Sequence, residues 1–202
     1  MRVTVGAAKG GVGKTTTAMM LGFVMAGHGR TLVVDVDQAQ QSSLTWRRVA
    51  ETDGYFWPAR LEVVPWSRSV DRTFDSYEHV VFDVGPRRAD LFREAITRSD
   101  TVVVPAGPRP ADIAEIAPAV ESIAAVADAG HPTVWGVLIT MLRLGTASAA
   151  EAPRILEANG TPVLDVRIPL REMYSLAYGT VPERFGAYVD LLAELTEEPP
   201  VG

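Results

Sequence analysis

The stretch Arg2-Val3-Thr4-Val5-Gly6-Ala7-Ala8-Lys9-Gly10-Gly11-Val12-Gly13-Lys14-Thr15-Thr16 decides the architecture. Arg2–Ala7 is an apolar run of strand length, followed by a glycine-rich turn and then a helical pattern, Thr16–Ala26. In that order, backbone N–H groups can curl round a phosphate while the helix N-terminus adds a favourable dipole. Lys9 to Thr16 meets the pattern KGGxGK[ST] in full, whereas the commoner GxxxxGK[ST] fails because its first glycine falls on Ala8. The backbone of Gly10, Gly11, Val12, Gly13 and Thr16 is therefore expected to cradle phosphates. Lys14 would reach the outer phosphates, and the Thr15 hydroxyl would ligate Mg²⁺. Lys9 and Lys14 are the only lysines among 19 basic residues, all the others being arginine. A compact ammonium fits between phosphates where a broad guanidinium does not, so this loop reads as chemically constrained.

Working outward, further strands are expected at Thr31–Val36, Leu61–Pro65, His79–Val84, Thr101–Pro105, Thr133–Thr140 and Pro162–Ile168. Runs such as Val80-Val81-Phe82 and Val102-Val103-Val104 do not alternate with polar residues, which marks strands buried on both faces. Helical patterns lie between them. Pro118 interrupts one, predicting a kink or a fresh helix start. Phe185, Tyr188, Val189, Leu192 and Leu195 are expected to form one apolar stripe near the C-terminus. The alternation implies an α/β fold of the P-loop NTPase kind: a doubly wound, mostly parallel sheet flanked by helices on both faces. A single domain over residues 1–196 is expected, with an acidic, disordered tail at 197–202.

Asp35 and Asp37 close the second strand, and period-two geometry places both on one side of the chain. Asp83 closes another apolar run. Carboxylates after apolar strands suit Mg²⁺, which takes one or two protein oxygens and keeps several waters. Composition narrows the classes further. With no cysteine, disulfides, thiolate zinc sites and cysteine-held clusters are excluded, and the three histidines lack metal-ligand spacing. The net charge of -6 argues against coating nucleic acid by bulk positive charge. No run reaches the ~20 apolar residues of a membrane span, and no leader pattern precedes the glycine loop; a cytoplasmic protein is expected.

Lys9–Thr16 resembles the deviant Walker A motif of the ParA/MinD ATPases, most like the small plasmid- and chromosome-partition members. The resemblance covers nearly the whole chain and implies ATP and Mg²⁺ as ligands. It implies Lys9 contacting a partner's nucleotide across an ATP-sandwich homodimer, so that Lys9, Lys14 and Asp37 carry catalysis. Thr15, Asp35 and Asp83 would support the metal, and Asp37 would position the attacking water. Thr140, Met141 and Pro169 fall where the family holds the adenine base. Partition ATPases commonly continue Asp-Pro-Gln, whereas this chain reads Asp37-Gln38-Ala39-Gln40, so turn geometry there is in question. The family implies non-specific DNA binding, nucleoid association in the ATP state and a ParB-type centromere-binding partner. Arg143, Arg154, Arg167, Arg171 and Arg184 are the candidate DNA contacts. Positioning of a non-DNA cargo, a MinD-like membrane switch and an ATP-dependent ligase are the alternatives. The acidic end Leu191–Glu198 speaks against anionic lipid, and no membrane partner is expected.

Overall fold

Six of the expected runs form strands; the central ones are buried on both faces, whereas the edge strand at Leu61–Pro65 turns Glu62 to water. The computed structural model describes residues 1–197. Its strands are β1 (Arg2–Gly6), β2 (Thr31–Asp35), β3 (Leu61–Pro65), β4 (His79–Val84), β5 (Thr101–Ala106) and β6 (Val134–Ile139). They form one parallel sheet in the order β3-β2-β4-β1-β5-β6. The intervening helices are α1 (Lys14–Ala26), α2 (Ser42–Thr52), α3 (Ala89–Ile96), α4 (Pro110–Ala114), α5 (Ala117–Asp128), α6 (Ala147–Ala158), α7 (Glu172–Ser175) and α8 (Ala187–Thr196). Pro118 sits in the first turn of α5, so it starts a new helix rather than kinking one.

Alternate strand residues feed two cores. Val3, Val5, Val33, Val81 and Val103 pack with α1, α2 and α8. Leu32, Val34, Val80, Phe82, Val102 and Val104 pack on the other face with α3, α5 and α6. The two-residue period of a strand thus supplies both layers of a doubly wound fold. Trp46, fully buried, anchors α2 through its indole N–H, which donates to the Thr180 carbonyl at 2.7 Å.

Two expectations change. Pro162–Ile168 is not a strand; only isolated bridges, Val137 to Val163 and Leu142 to Pro169, tie this stretch to the β6 side. The ladder breaks because the N–H groups of Asp165 and Val166 donate to the Glu194 carboxylate of α8. The C-terminal stripe is also different. Tyr188, Leu191 and Leu192 are buried, with Leu195 packed beside them, while Val189 is half exposed. The helix begins only at Ala187, and Val189 lies one residue, about 100°, from the buried row. Of the expected tail, 198–202 lies outside the described residues.

The β1 strand lies between β4 and β5, and the chain winds to opposite sides of it. The loops after the strands converge there, at the carboxyl ends, where open α/β sheets bind ligands.

Candidate functional site

The glycine loop joins β1 to α1, with Gly13 at φ 83° as the residue that caps α1. That left-handed conformation costs a side-chain-bearing residue but not glycine. Lys14 is 7% exposed, and its ammonium donates back to the Lys9 carbonyl. Burial lowers its pKa, while the charges of Asp83 and Asp37 pull the other way. A crevice of about 410 Å³ opens above the loop, lined by Gly10, Gly11, Gly13, Lys14, Thr15 and Thr16. Asp37 and Asp83 complete it, with Gln40, Ser42, Gly85 and Pro86 as members that spacing did not reveal.

The three acids are buried, and none is left bare. Asp35 and Asp83 face one another in register across β2 and β4. Asp35 accepts the N–H groups of Asp37 (3.2 Å), Ser43 (2.9 Å) and Leu44 (3.1 Å). Asp83 accepts the Ser43 hydroxyl at 2.6 Å, with Thr15 beside it in the wall of the crevice. Ser43, fully buried, therefore joins both carboxylates to the start of α2. Burial pushes Asp35 up to about 7, with the Asp83 charge adding to the rise; Asp83 is also raised, chiefly by burial. Asp35 does not line the crevice. Its oxygens hold α2 in place, so it stands behind Asp83 rather than beside the ligand space.

Asp37 lies beyond the end of β2 and is placed by a turn. Its Oδ1 accepts the N–H groups of Ala39 (3.2 Å) and Gln40 (3.1 Å). A Cβ on Gly85 would come within 2.1 Å of Asp37 Oδ2, so the carboxylate occupies the space that glycine leaves. Gln41 absorbs the missing-proline turn at φ 47°; Arg87 (φ 57°) and Met141 (φ 54°) are the other non-glycine residues with positive φ among those described. All three fall at the loops around the crevice, each costing on the order of 1–3 kcal/mol that the surrounding structure must offset.

Lys9 is turned away from its own crevice. Its ammonium pairs with Asp112 (3.0 Å) and Glu115 (3.2 Å), which hold its pKa above the usual lysine value. Asp112 is buried and is also bonded by Arg109 at 2.8 and 3.2 Å.

Thr140, Met141 and Pro169 line a second cavity of about 160 Å³, continuous with the crevice through Gly13, Thr16 and Met141. The Thr140 hydroxyl bonds the Val12 and Ala106 carbonyls, tying the glycine loop to β5. Spacing missed Tyr174, Tyr178 and Tyr188, which wall this cavity. Arg171 lines it too, while Arg143 and Arg184 border two other clefts. Arg154 lies on α6, and Arg167 bonds the Val166 carbonyl. Among the described residues none of these five arginines is in an ion pair, and the structure gathers them into no single cleft.

The donor set fits a magnesium–triphosphate. Thr15, Asp83 and Asp37 supply hard oxygens beside a buried ammonium and open loop N–H groups. Among the described residues no group of three or more His, Asp or Glu side chains is arranged to hold a metal alone, as suits an ion held largely by phosphate and water. No helix among them is long and apolar enough to cross a membrane.

The chain is similar to known proteins in sequence and in fold. The chain is 31% identical over 162 residues to the maintenance of carboxysome distribution protein A of Gloeobacter kilaueensis, covering 79% of this chain and 72% of that protein. An ATP complex of Cyanothece McdA superposes with a TM-score of 0.74 at 17% identity, covering 100% of this chain and 98% of that one. A plasmid partition protein of Borrelia burgdorferi bound to AMPPNP gives 0.75 at 17% identity, over 96% and 97%. The cell division protein MinD of Aquifex aeolicus gives 0.76 at 15% identity, over 100% and 99%. Residues 3–180 match the model of the CobQ/CobB/MinD/ParA nucleotide binding domain, and the chain belongs to that family.

Proposed function

We propose that this chain is a ParA-type positioning ATPase that binds ATP with Mg²⁺ and closes into a homodimer around two nucleotides. The observation that carries the reading is the divided duty of its two lysines. Lys14 lines the crevice of its own chain, whereas Lys9, five positions earlier in the loop, does not and sits at the rim beside α4. An ammonium presented at the rim can neutralise charge on a nucleotide held by a second copy, as cationic fingers do in phosphoryl transfer.

In this reading the loop N–H groups and Lys14 bind the triphosphate. Asp83 and Thr15 would hold the metal, with Asp35 and Ser43 fixing Asp83 from behind; bound there, magnesium supplies charge neutralisation on the phosphates. Asp37 orients a water and accepts its proton. The water oxygen bonds to the γ-phosphorus, and the bond to the β–γ bridging oxygen breaks, leaving ADP and phosphate. Lys9 of a second copy completes the site, so turnover by isolated chains is slow.

The cargo is set by a partner protein. The 31% identical relative, whose name assigns it to carboxysome distribution, favours a cargo other than DNA. DNA partition with a ParB-type partner uses the same switch and is the second reading, supported by the likeness to the Borrelia partition protein. Light scattering after size exclusion, with the Asp37→Ala chain and ATP–Mg²⁺, tests the core claim. A dimer with ATP and a monomer with ADP are expected; a monomer in both overturns it. Addition of duplex DNA should shift the ATP species alone, with affinity falling steeply as salt rises.

A further inference from the structure

The cavity beside the phosphate crevice has one wall unlike the others. Tyr188 and Tyr174 are buried against each other, ring centroids 5.4 Å apart at 87°. Their hydroxyls are engaged by the protein: Tyr188 with Thr17 at 3.3 Å, and Tyr174 by the Ala187 N–H at 2.9 Å. Both serve the core that supports α1 and α8. Tyr178 instead stands at the cavity with 48% of its surface exposed. Its ring leans on Trp46 with centroids 5.4 Å apart, and its hydroxyl donates to the Ser42 carbonyl at 3.4 Å. Ser42 opens α2 and lines the phosphate crevice. The next residue, Ser43, bonds Asp35 and Asp83.

Tyr178 thus touches both halves of the site. A half-exposed aromatic ring braced from behind by a buried indole offers a flat apolar surface with little left to order. Ile168, Pro169 and Leu170 give the cavity an apolar side, Arg171 and Ser175 stand beside them, and Gly13 and Thr16 of the phosphate loop complete the lining. A base attached to phosphates in the crevice would enter it.

We propose that Tyr178 is the base-stacking residue that makes this site prefer a purine nucleotide, and that its hydroxyl passes base binding on to the start of α2. The inference rests on the nucleotide reading above. A purine offers two fused rings to the stack and a pyrimidine one, so removal of the aromatic face costs a purine more. Immobilising the ring also fixes the hydroxyl on Ser42, and with it the turn that presents Ser43 to both acids.

Calorimetric titration of the full chain with ADP, CDP and inorganic pyrophosphate, each with Mg²⁺, tests this without turnover. Tyr178→Leu keeps bulk against Trp46 while removing the aromatic face. It should weaken ADP about tenfold and CDP no more than about threefold, given the usual strength of base–aromatic stacking. Pyrophosphate affinity should not change. Tyr178→Phe should bind ADP like the wild type but lose the ADP-dependent protection of the Ser43 and Leu44 amides from hydrogen exchange. A Tyr178→Leu chain with the wild-type ratio of ADP to CDP affinity overturns the selector role, as does an equal loss for pyrophosphate, which would mark a general disturbance. Wild-type amide protection in Tyr178→Phe overturns the coupling. If the wild type binds ADP no better than pyrophosphate, the nucleotide reading fails first and this inference goes with it.

Discussion

Two adjoining regions of the site treat charge in opposite ways. In and behind the crevice, Asp35, Asp37 and Asp83 are each less than a tenth exposed, and backbone N–H groups and Ser43 hold them. At the rim, Lys9, Arg109, Asp112 and Glu115 are bonded to one another through side chains, with Arg109 largely exposed. A backbone donor cannot leave its acceptor without unfolding the turn, whereas a flexible side chain can change partners at small cost. The crevice is preorganised for one ligand; the rim is arranged so that its ion pairs can be exchanged for those of a second molecule.

The contrast breaks most visibly at Lys14. Its ammonium is the buried cation of the crevice, and Lys14→Ala would leave phosphate charge and the nearby acids without it. Nucleotide affinity should fall by about a hundredfold or more, since charge-assisted bonds in a desolvated site are the strong ones. Equilibrium binding of ADP–Mg²⁺ measures this, and retained tight binding would remove the loop from the account. Gly85→Ala comes next. Its Cβ would collide with Asp37 Oδ2, displacing the carboxylate while sparing the loop. Phosphate release should slow on the order of a hundredfold, because small misplacements of a catalytic group are that costly, while ADP binding stays within a few-fold. Normal turnover in this variant would mean that Asp37 acts from some other position, or not at all.

The rim should respond more gently. Asp112→Asn removes a buried carboxylate that Lys9 and Arg109 share. Freed of it, Lys9 keeps only the exposed Glu115 as partner and should reach a second chain more readily, so the ATP dimer should tighten a few-fold. Sedimentation of the Asp37→Ala, Asp112→Asn chain against Asp37→Ala alone gives the comparison. Lys9→Ala should cancel the gain. A dimer that forms equally well with and without Lys9 would leave the rim as surface decoration and the lysine without its role.

How much of this could be read from the sequence follows the same division. The sheet was legible because strands buried on both faces are apolar throughout, and a glycine loop between strand and helix has few other uses. The run Pro162–Ile168 looked like a further strand because its residues are apolar. What interrupts it is Glu194, a carboxylate on a helix that passes nearby only in the folded chain. Asp35 and Asp37 seemed equivalent by period two, but β2 ends at Asp35, and alternation says nothing beyond a strand's end. One caps α2 and the other turns into the crevice. The tyrosine wall was hidden for a related reason. Tyr174 and Tyr178 share helical spacing and both wall the cavity, yet one is buried in a core and the other half exposed, a distinction that belongs to packing alone. The scattered arginines carried no signal of neighbourhood, and the structure places three of them on three different clefts.

The smallest effect is thermal, and it probes the crevice without any ligand. Asp35 in the folded chain titrates near 7, against an ordinary value of 3.8, because burial and the Asp83 charge disfavour its ionised form. In the unfolded chain it ionises at the ordinary value. Between about pH 4 and pH 7 the folded protein therefore holds a proton that the unfolded chain has released. Stability is greatest below that window, falls as pH rises through it, and levels off above pH 7. Melting curves in the presence of a chelator should show Tm dropping by a few degrees across this range. Asp83, shifted in the same direction, contributes to the same slope. Asp35→Asn keeps an oxygen to accept the Ser43 and Leu44 N–H groups but carries no proton to lose, so its Tm should vary less with pH. If wild type and variant follow the same curve, Asp35 is ionised throughout. The preorganised side of the comparison would then rest on hydrogen bonds to a full carboxylate rather than to a neutral acid.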